Sequence, residues 1–205
     1  GAVHTMRIKD LFPFPNHPFK VRSDDAMQAT IESIKTYGVL VPAIVRPRKE
    51  GGYEIISGHR RKYACEQAGI ETMPVIVRDL DDNEATIIMV DSNLQRENIL
   101  PSERAQAYKM KLEAIKRQGE RNDLTSGQVG TRSRTDEKIA EGTSESARTV
   151  QRYIRLTELI SPLQNMVDEK KMGLTPASEI SFLKPKEQEL LVATIESEQA
   201  IPSLS

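Results

Sequence analysis

The chain has 205 residues, of which 38% are apolar and 29% charged. That suffices for one large domain or two small ones with real cores, and it is too apolar for a wholly disordered chain. No apolar run approaches the length needed to cross a bilayer, and the lone cysteine, Cys65, excludes an internal disulfide and fits a reducing cytoplasm.

In chain order, Gly1–Thr5 precede Met6 and are assigned to no element. Asp24 to Tyr37 is expected to be a helix, with Ser23 as N-cap, Asp24 and Asp25 in the first turn and Gly38 at its end. Met27, Ile31 and Ile34 then share one face. Ala43–Arg46 and Tyr53–Ile56 are expected strands, joined by a turn at Gly51-Gly52. Arg60–Ala68 follows as a helix stopped by Gly69, then a short strand Pro74–Val77 and a helix Asn83–Leu94 capped by Asp81 or Asp82. Pro101 opens a further helix. From Gln118 to Thr135 the chain turns polar and carries three glycines, which reads as a mobile loop. Helices are expected over Asp136–Glu141, Ala147–Glu158, Pro162–Lys171, Pro176–Leu183 and Pro185–Glu198, with Thr175 capping the fourth. An α+β domain (1–100) thus precedes an all-α domain (101–205).

The net charge of −1 argues weakly against a nucleic-acid partner, but it hides an asymmetry. Between Arg104 and Arg155 twelve Lys/Arg stand against seven acids, a local excess of five positive charges. Within that stretch KIAEGTSESARTVQRYIRL has the pattern of a helix-turn-helix over about 136–156. Ser146 would cap the second helix, Val150 and Ile154 would face the core, and Arg148, Thr149, Gln151 and Arg152 would point outward. Arg and Gln are suited to bidentate contacts with guanine and adenine edges. The glycine usual in the turn is replaced by Ser144, with Thr143 and Glu145 on either side, which would loosen it. An amphipathic helix with a basic outer face is the alternative.

Two strings in the first half carry further chemistry. SGHRR, from Ser57 to Arg61, sits where a strand enters a helix, so that backbone amides and the helix dipole could meet a phosphate. Arg60 and Arg61 would supply charge, and His59 a further hydrogen bond. A turn with two solvated arginines fits equally well. SNLQREN, from Ser92 to Asn98, crowds Asn93, Arg96 and Glu97 into one turn, which suits phosphate or metal-water contacts, or a helix-end network. His4, His17 and His59 lack metal-ligand spacing, and no structural zinc is expected. No residue is singled out as catalytic.

Read together, PNHPFKVR (Pro15–Arg22), ESIKTYGVLVPAIVRPR (Glu32–Arg48), ISGHRRKYACEQAG (Ile56–Gly69), MPVIVRDL (Met73–Leu80) and SNLQRENILPSERAQAY (Ser92–Tyr108) resemble, in this order, the ParB family of partition proteins. The resemblance implies a ParB/sulfiredoxin-like N-terminal fold followed by a helix-turn-helix domain. It also implies CTP and Mg2+ as cofactors, and a homodimer that closes around double-stranded DNA. By position, Ser57, Gly58, His59, Arg60 and Arg61 would bind phosphate. Asn93, Arg96 and Glu97 would form the second nucleotide motif, with Asn93 as the magnesium ligand. Ser146, Arg148, Thr149, Gln151 and Arg152 would contact DNA. A ParA-type ATPase partner and a cytoplasmic location on nucleoid or plasmid follow from the same resemblance, and no membrane association is expected.

The sequence departs from the family at Ser92 (usually glutamate), Val41 (usually glutamine) and His59 (usually glutamate). Ser92 puts CTP hydrolysis in doubt, leaving at most a weak CTPase. Chromosomal members continue into a C-terminal dimerisation domain, whereas this sequence stops at Ser205 and reads as a fragment or a shortened relative. Competing readings are a helix-turn-helix regulator without nucleotide use and a nucleotide-dependent kinase of the same fold. Sulfiredoxin chemistry needs a cysteine before the histidine, and Gly58 stands there.

Overall fold

Five strands and three α-helices build the first half of the computed structural model, which describes residues 1–126 and 132–198. Strand β1 (Val3–Arg7) lies at one edge, where it pairs antiparallel with β5 (Thr72–Val77), Val3 opposite Ile76 and Arg7 opposite Thr72. As an edge strand with little apolar alternation, it carries no strand signal in the sequence. A single 3-10 turn at Ile8–Asp10 leads into the two-residue strand β2 (Leu11–Phe12). The sheet order is β1-β5-β3-β4-β2, with β3 (Ala43–Pro47) parallel to β5 and antiparallel to β4 (Tyr53–Ser57).

Helix α1 (Asp25–Tyr37) is capped by Asp24, whose carboxylate accepts from the Met27 N–H at 2.8 Å. The cap is therefore Asp24, and Ser23 instead accepts from the Gln28 side chain. Met27, Ile31 and Ile34 are buried as the spacing requires, and Gly38 ends the helix. Helix α2 (His59–Gln67) contributes Ala64 and Cys65 to the same core, packed with Val45, Ile55, Met73 and Val75 of the sheet. Alternation along β3 and β5 places those sheet residues on one face. Helix α3 (Asp82–Leu94) starts with a reciprocal cap. The Asp81 carboxylate accepts from the Asn83 and Glu84 N–H groups, and Glu84 accepts from the Asp81 N–H.

The chain divides into two compact units, Gly1–Asn93 and Leu94–Ser205. The second is helical: α4 (Pro101–Ser126), α5 (Arg132–Ala140), α6 (Ala147–Arg155), α7 (Ser161–Asp168), α8 (Leu174–Ile180) and α9 (Pro185–Glu198). The stretch 118–135, read as a loop, is largely helix. Gln118, Glu120 and Arg121 are good helix formers, and polarity on an exposed face does not stop a helix anchored by its preceding turns. Residues 127–131 lie outside the described residues. The N-cap of α8 is Gly173, so Thr175 lies inside the helix. The core joins Ala105 of α4 to Leu156, Leu163, Val167 and Ala177. Buried Gln188 accepts from the Ile160 N–H and donates to the Glu158 and Leu183 carbonyls, pinning α9 to the start of α7. Among the described residues no helix is long and apolar enough to cross a membrane.

Candidate nucleotide and nucleic-acid sites

Ser57 ends β4 opposite Ile44, beside a register shift between Ile44 and Val45, and the chain turns at Gly58 into α2. Such irregularities re-aim a strand end. Gly58 has φ 123°, and a Cβ there would lie 2.7 Å from the Cβ of Ala43. Only glycine fits both the backbone and the space. No side chain caps α2, so its first amides are available for an anion. Half-buried Arg60 has no hydrogen-bond or ion-pair partner among the described residues.

The two residues flanking Arg60 are committed to the fold. Arg61 donates from one Nη to the carbonyls of Val41 and Pro42, at 2.6 and 2.7 Å, and burial lowers its pKa below the usual arginine value. It therefore ties α2 to the strand entry at β3, and the same guanidinium lines a cavity of about 370 Å3 between α1 and the loop Gly38–Val41. His59 accepts at Nε2 from the Phe14 N–H at 3.0 Å, and its ring lies 3.8 Å, centroid to centroid, from that of His17. Burial, then the nearby His17 and Lys62, push its pKa down to about 3. The ring is neutral, and with Nε2 accepting, the proton sits on Nδ1.

The depressed pKa has a sign. Folding favours neutral His59, so its contribution is complete above the ordinary value of 6.5 and is lost as pH falls toward 3. Thermal melts at about pH 7 and about pH 4 should show an acid loss in the parent that His59→Gln lacks. Equal losses in both would remove His59 as the cause.

Asn93 lies in the last turn of α3, where its side-chain amide donates to the Met89 carbonyl at 2.8 Å, and Ser92 donates to the same carbonyl at 3.0 Å. Arg96 and Glu97 follow in the turn beyond the helix and belong to the second unit. Among the described residues no three His, Cys, Asp or Glu side chains converge as a metal cage. The phosphate part of a nucleotide fits the Gly58 turn. Without such a cage, a magnesium ion would have to be held mainly by phosphate and water.

Helices α5 and α6 form the expected helix-turn-helix. Ser146 caps α6, its hydroxyl accepting from the Thr149 N–H at 3.2 Å and lying 3.0 Å from the Thr149 hydroxyl. Val150 is buried, whereas Arg148 is exposed and Arg152 half-buried, both without a partner among the described residues. Gln151 donates to Asp136 at 2.8 Å, which braces α6 against α5. A base contact by Gln151 would have to replace that bond.

Nor is the turn loose. Gly142, at φ 79°, supplies the left-handed residue two places before Ser144, and Thr143 donates to the Ala140 carbonyl while accepting from the Glu145 N–H. The glycine the backbone needs is thus Gly142, two residues before the position expected from spacing. Arg155, at the end of α6, is held by Ser181, with its guanidinium 4.0 Å from the centroid of Phe182.

A mixed α/β unit with a glycine turn at the start of α2, followed by a helical unit with a helix-turn-helix, defines the class. Residues 1–94 match the family model of the ParB N-terminal domain. Stage 0 sporulation protein J of Bacillus subtilis (strain 168) is 33% identical over 199 residues, 97% of this chain and 64% of that protein. A nucleoid occlusion protein of Halalkalibacterium halodurans is 30% identical over 182 residues, 89% of this chain and 58% of that protein. The fold matches the C-terminally truncated chromosome-partitioning protein ParB of Caulobacter crescentus complexed to the centromeric parS site. There the TM-score is 0.60 and identity 24%, covering 97% of this chain and 94% of that one. Residues 1–94 are a ParB N-terminal domain, and the chain is similar along most of its length to chromosome-partitioning proteins of the ParB type. It spans about three-fifths of the length of these curated relatives, 64% of one and 58% of the other.

Proposed function

We propose that the chain is a DNA-binding partition protein of the ParB type. Its helical unit reads double-stranded DNA, and its N-terminal unit binds CTP with Mg2+ so that a homodimer closes on the DNA. The observation that carries the reading is the outer face of α6, an N-capped helix presenting Arg148 and Arg152 without partners among the described residues. Thr149 and Ser146 lie at the same N-terminal end, where a recognition helix contacts bases. The uncapped turn at Gly58 with Arg60 supports triphosphate binding. Ser57 and His59 shape that turn, Arg61 holds it in place, and Asn93, Arg96 and Glu97 are the second nucleotide segment, Asn93 toward magnesium. A ParA-type ATPase as partner and a place on nucleoid or plasmid belong to the same reading, as does a domain boundary near residue 100.

Fluorescence anisotropy with a duplex carrying the parS site and a scrambled duplex tests DNA reading. Calorimetry with CTP, ATP and GTP, with and without Mg2+, on the parent and Arg60→Ala tests the nucleotide. The expected result is preference for one duplex, preference for CTP, weak metal dependence and loss of CTP binding in the variant. Equal binding of both duplexes would remove the parS assignment. A CTP affinity no better than that for ATP or GTP would leave a nucleotide-independent DNA-binding regulator. Ser92 supports that second reading, because its hydroxyl is turned to a helix carbonyl and brings no anionic oxygen to a metal. For the same reason CTP hydrolysis is expected to be slow or absent.

A further inference from the structure

The turn before the recognition helix is fastened to α4 by side chains that no DNA-reading role uses. The Tyr108 hydroxyl, on α4, donates to the Glu145 carboxylate, and Arg104, one turn earlier, lies 3.3 Å from the other Glu145 oxygen. The Arg104 guanidinium also sits 5.6 Å from the centroid of Tyr153, whose ring is 6.0 Å from that of Tyr108. One turn further along α4, Lys111 donates to the Glu141 carbonyl at 3.1 Å. Tyr108 is fully buried, and Arg104 and Glu145 are both largely buried. A charge-assisted bond in such surroundings is short and directional.

Glu145 immediately precedes Ser146, the cap of α6. A shift of Glu145 therefore moves the start of the recognition helix, and with it the register of Arg148 and Arg152. From this geometry we infer that Tyr108, Glu145 and Arg104 are positioning residues that fix the recognition helix on α4 and thereby set how sharply the protein discriminates between DNA sequences. The inference rests on the DNA-reading proposal. Base contacts depend on orientation to a fraction of an ångström, whereas phosphate contacts tolerate adjustment by long side chains. A loosened α6 should therefore lose specific affinity and keep non-specific affinity. Burial, then the Glu145 bond, push the Tyr108 phenol up to about 12, so the hydroxyl keeps its proton throughout the working pH range.

The test compares the parent, Tyr108→Phe and Glu145→Gln, each as the whole chain. Affinity is measured for a duplex selected by the parent from a random pool and for a scrambled duplex, and melting temperature is followed alongside. Tyr108→Phe removes one oxygen and is expected to lower the specific-to-scrambled ratio about tenfold, with affinity for the scrambled duplex unchanged. Glu145→Gln keeps an acceptor for Tyr108 but loses the charge facing Arg104, and it should lie between the parent and Tyr108→Phe. A purely structural role would lower melting temperature and both affinities together, and that result overturns the inference. An unchanged ratio in Tyr108→Phe does the same while leaving DNA reading intact. A parent that selects no sequence from the pool overturns both.

Discussion

Gly58→Ala is expected to unfold the first unit at a markedly lower temperature and to abolish nucleotide binding at the Gly58 turn. Two costs add at this residue. An L side chain at φ 123° is held in a region that costs on the order of 1–3 kcal/mol. The new Cβ would also lie 2.7 Å from the Cβ of Ala43 and 3.2 Å from its Cα, an overpacking worth about 1–3 kcal/mol more. Ala43 sits in a central strand and cannot yield without disturbing β3. Together these imply a fall in melting temperature of roughly 10 °C or more for a unit of this size. Gly69→Ala is the control. Its φ is also positive, at 71°, but nothing lies within 4 Å of the added Cβ, so only the backbone cost applies. If Gly58→Ala melted with Gly69→Ala and bound CTP as the parent does, the close approach to β3 would have no energetic meaning.

Replacing Arg148 and Arg152 together by alanine should cause the largest loss of specific DNA binding. Each bidentate contact to a guanine is worth about 1–3 kcal/mol of discrimination, so the pair would cost between about thirtyfold and about twenty-thousandfold in the preference for the specific duplex. If the two arginines contact phosphates instead, binding should weaken uniformly across sequences, and the salt slope should fall by about one for each arginine removed. Titrations at several salt concentrations separate the two cases. Arg155→Ala provides the contrast, because Arg155 is held by Ser181 and Phe182. Its loss should lower melting temperature without altering sequence preference. A double variant with unchanged preference would remove α6 as the reading element.

The elements most legible in the sequence are those whose signals are local. Met27, Ile31 and Ile34 recur at helical spacing and are buried on α1, Gly38 ends that helix, and Ser146 caps α6. Local capping chemistry still left close competitors, as at Ser23 and Asp24, where both side chains could cap and the structure uses Asp24. The order of SGHRR, SNLQREN and the helix-turn-helix was likewise readable, because a family resemblance lies in sequence order and needs no coordinates. The polar run from Gln118 misled, since solvation says nothing about whether a backbone stays helical.

Sequence alone therefore determined the class of fold and the order of its parts, and it marked the short strings proposed to carry phosphate and DNA chemistry, all properties of neighbouring residues. Only tertiary structure decided what each side chain is doing. Arg60 and Arg61 are adjacent and chemically identical, yet Arg61 is taken up by the Val41 and Pro42 carbonyls while Arg60 has no such partner among the described residues. His59 is neutral because burial and the nearby His17 and Lys62 disfavour its charged form, Gln151 braces α5 through Asp136, and Glu145 meets Tyr108 from 37 residues away. Hydrogen bonds and desolvation depend on distances of a few ångströms between residues far apart in the chain. Those distances are set by the packing of helices and strands, and no local pattern encodes them.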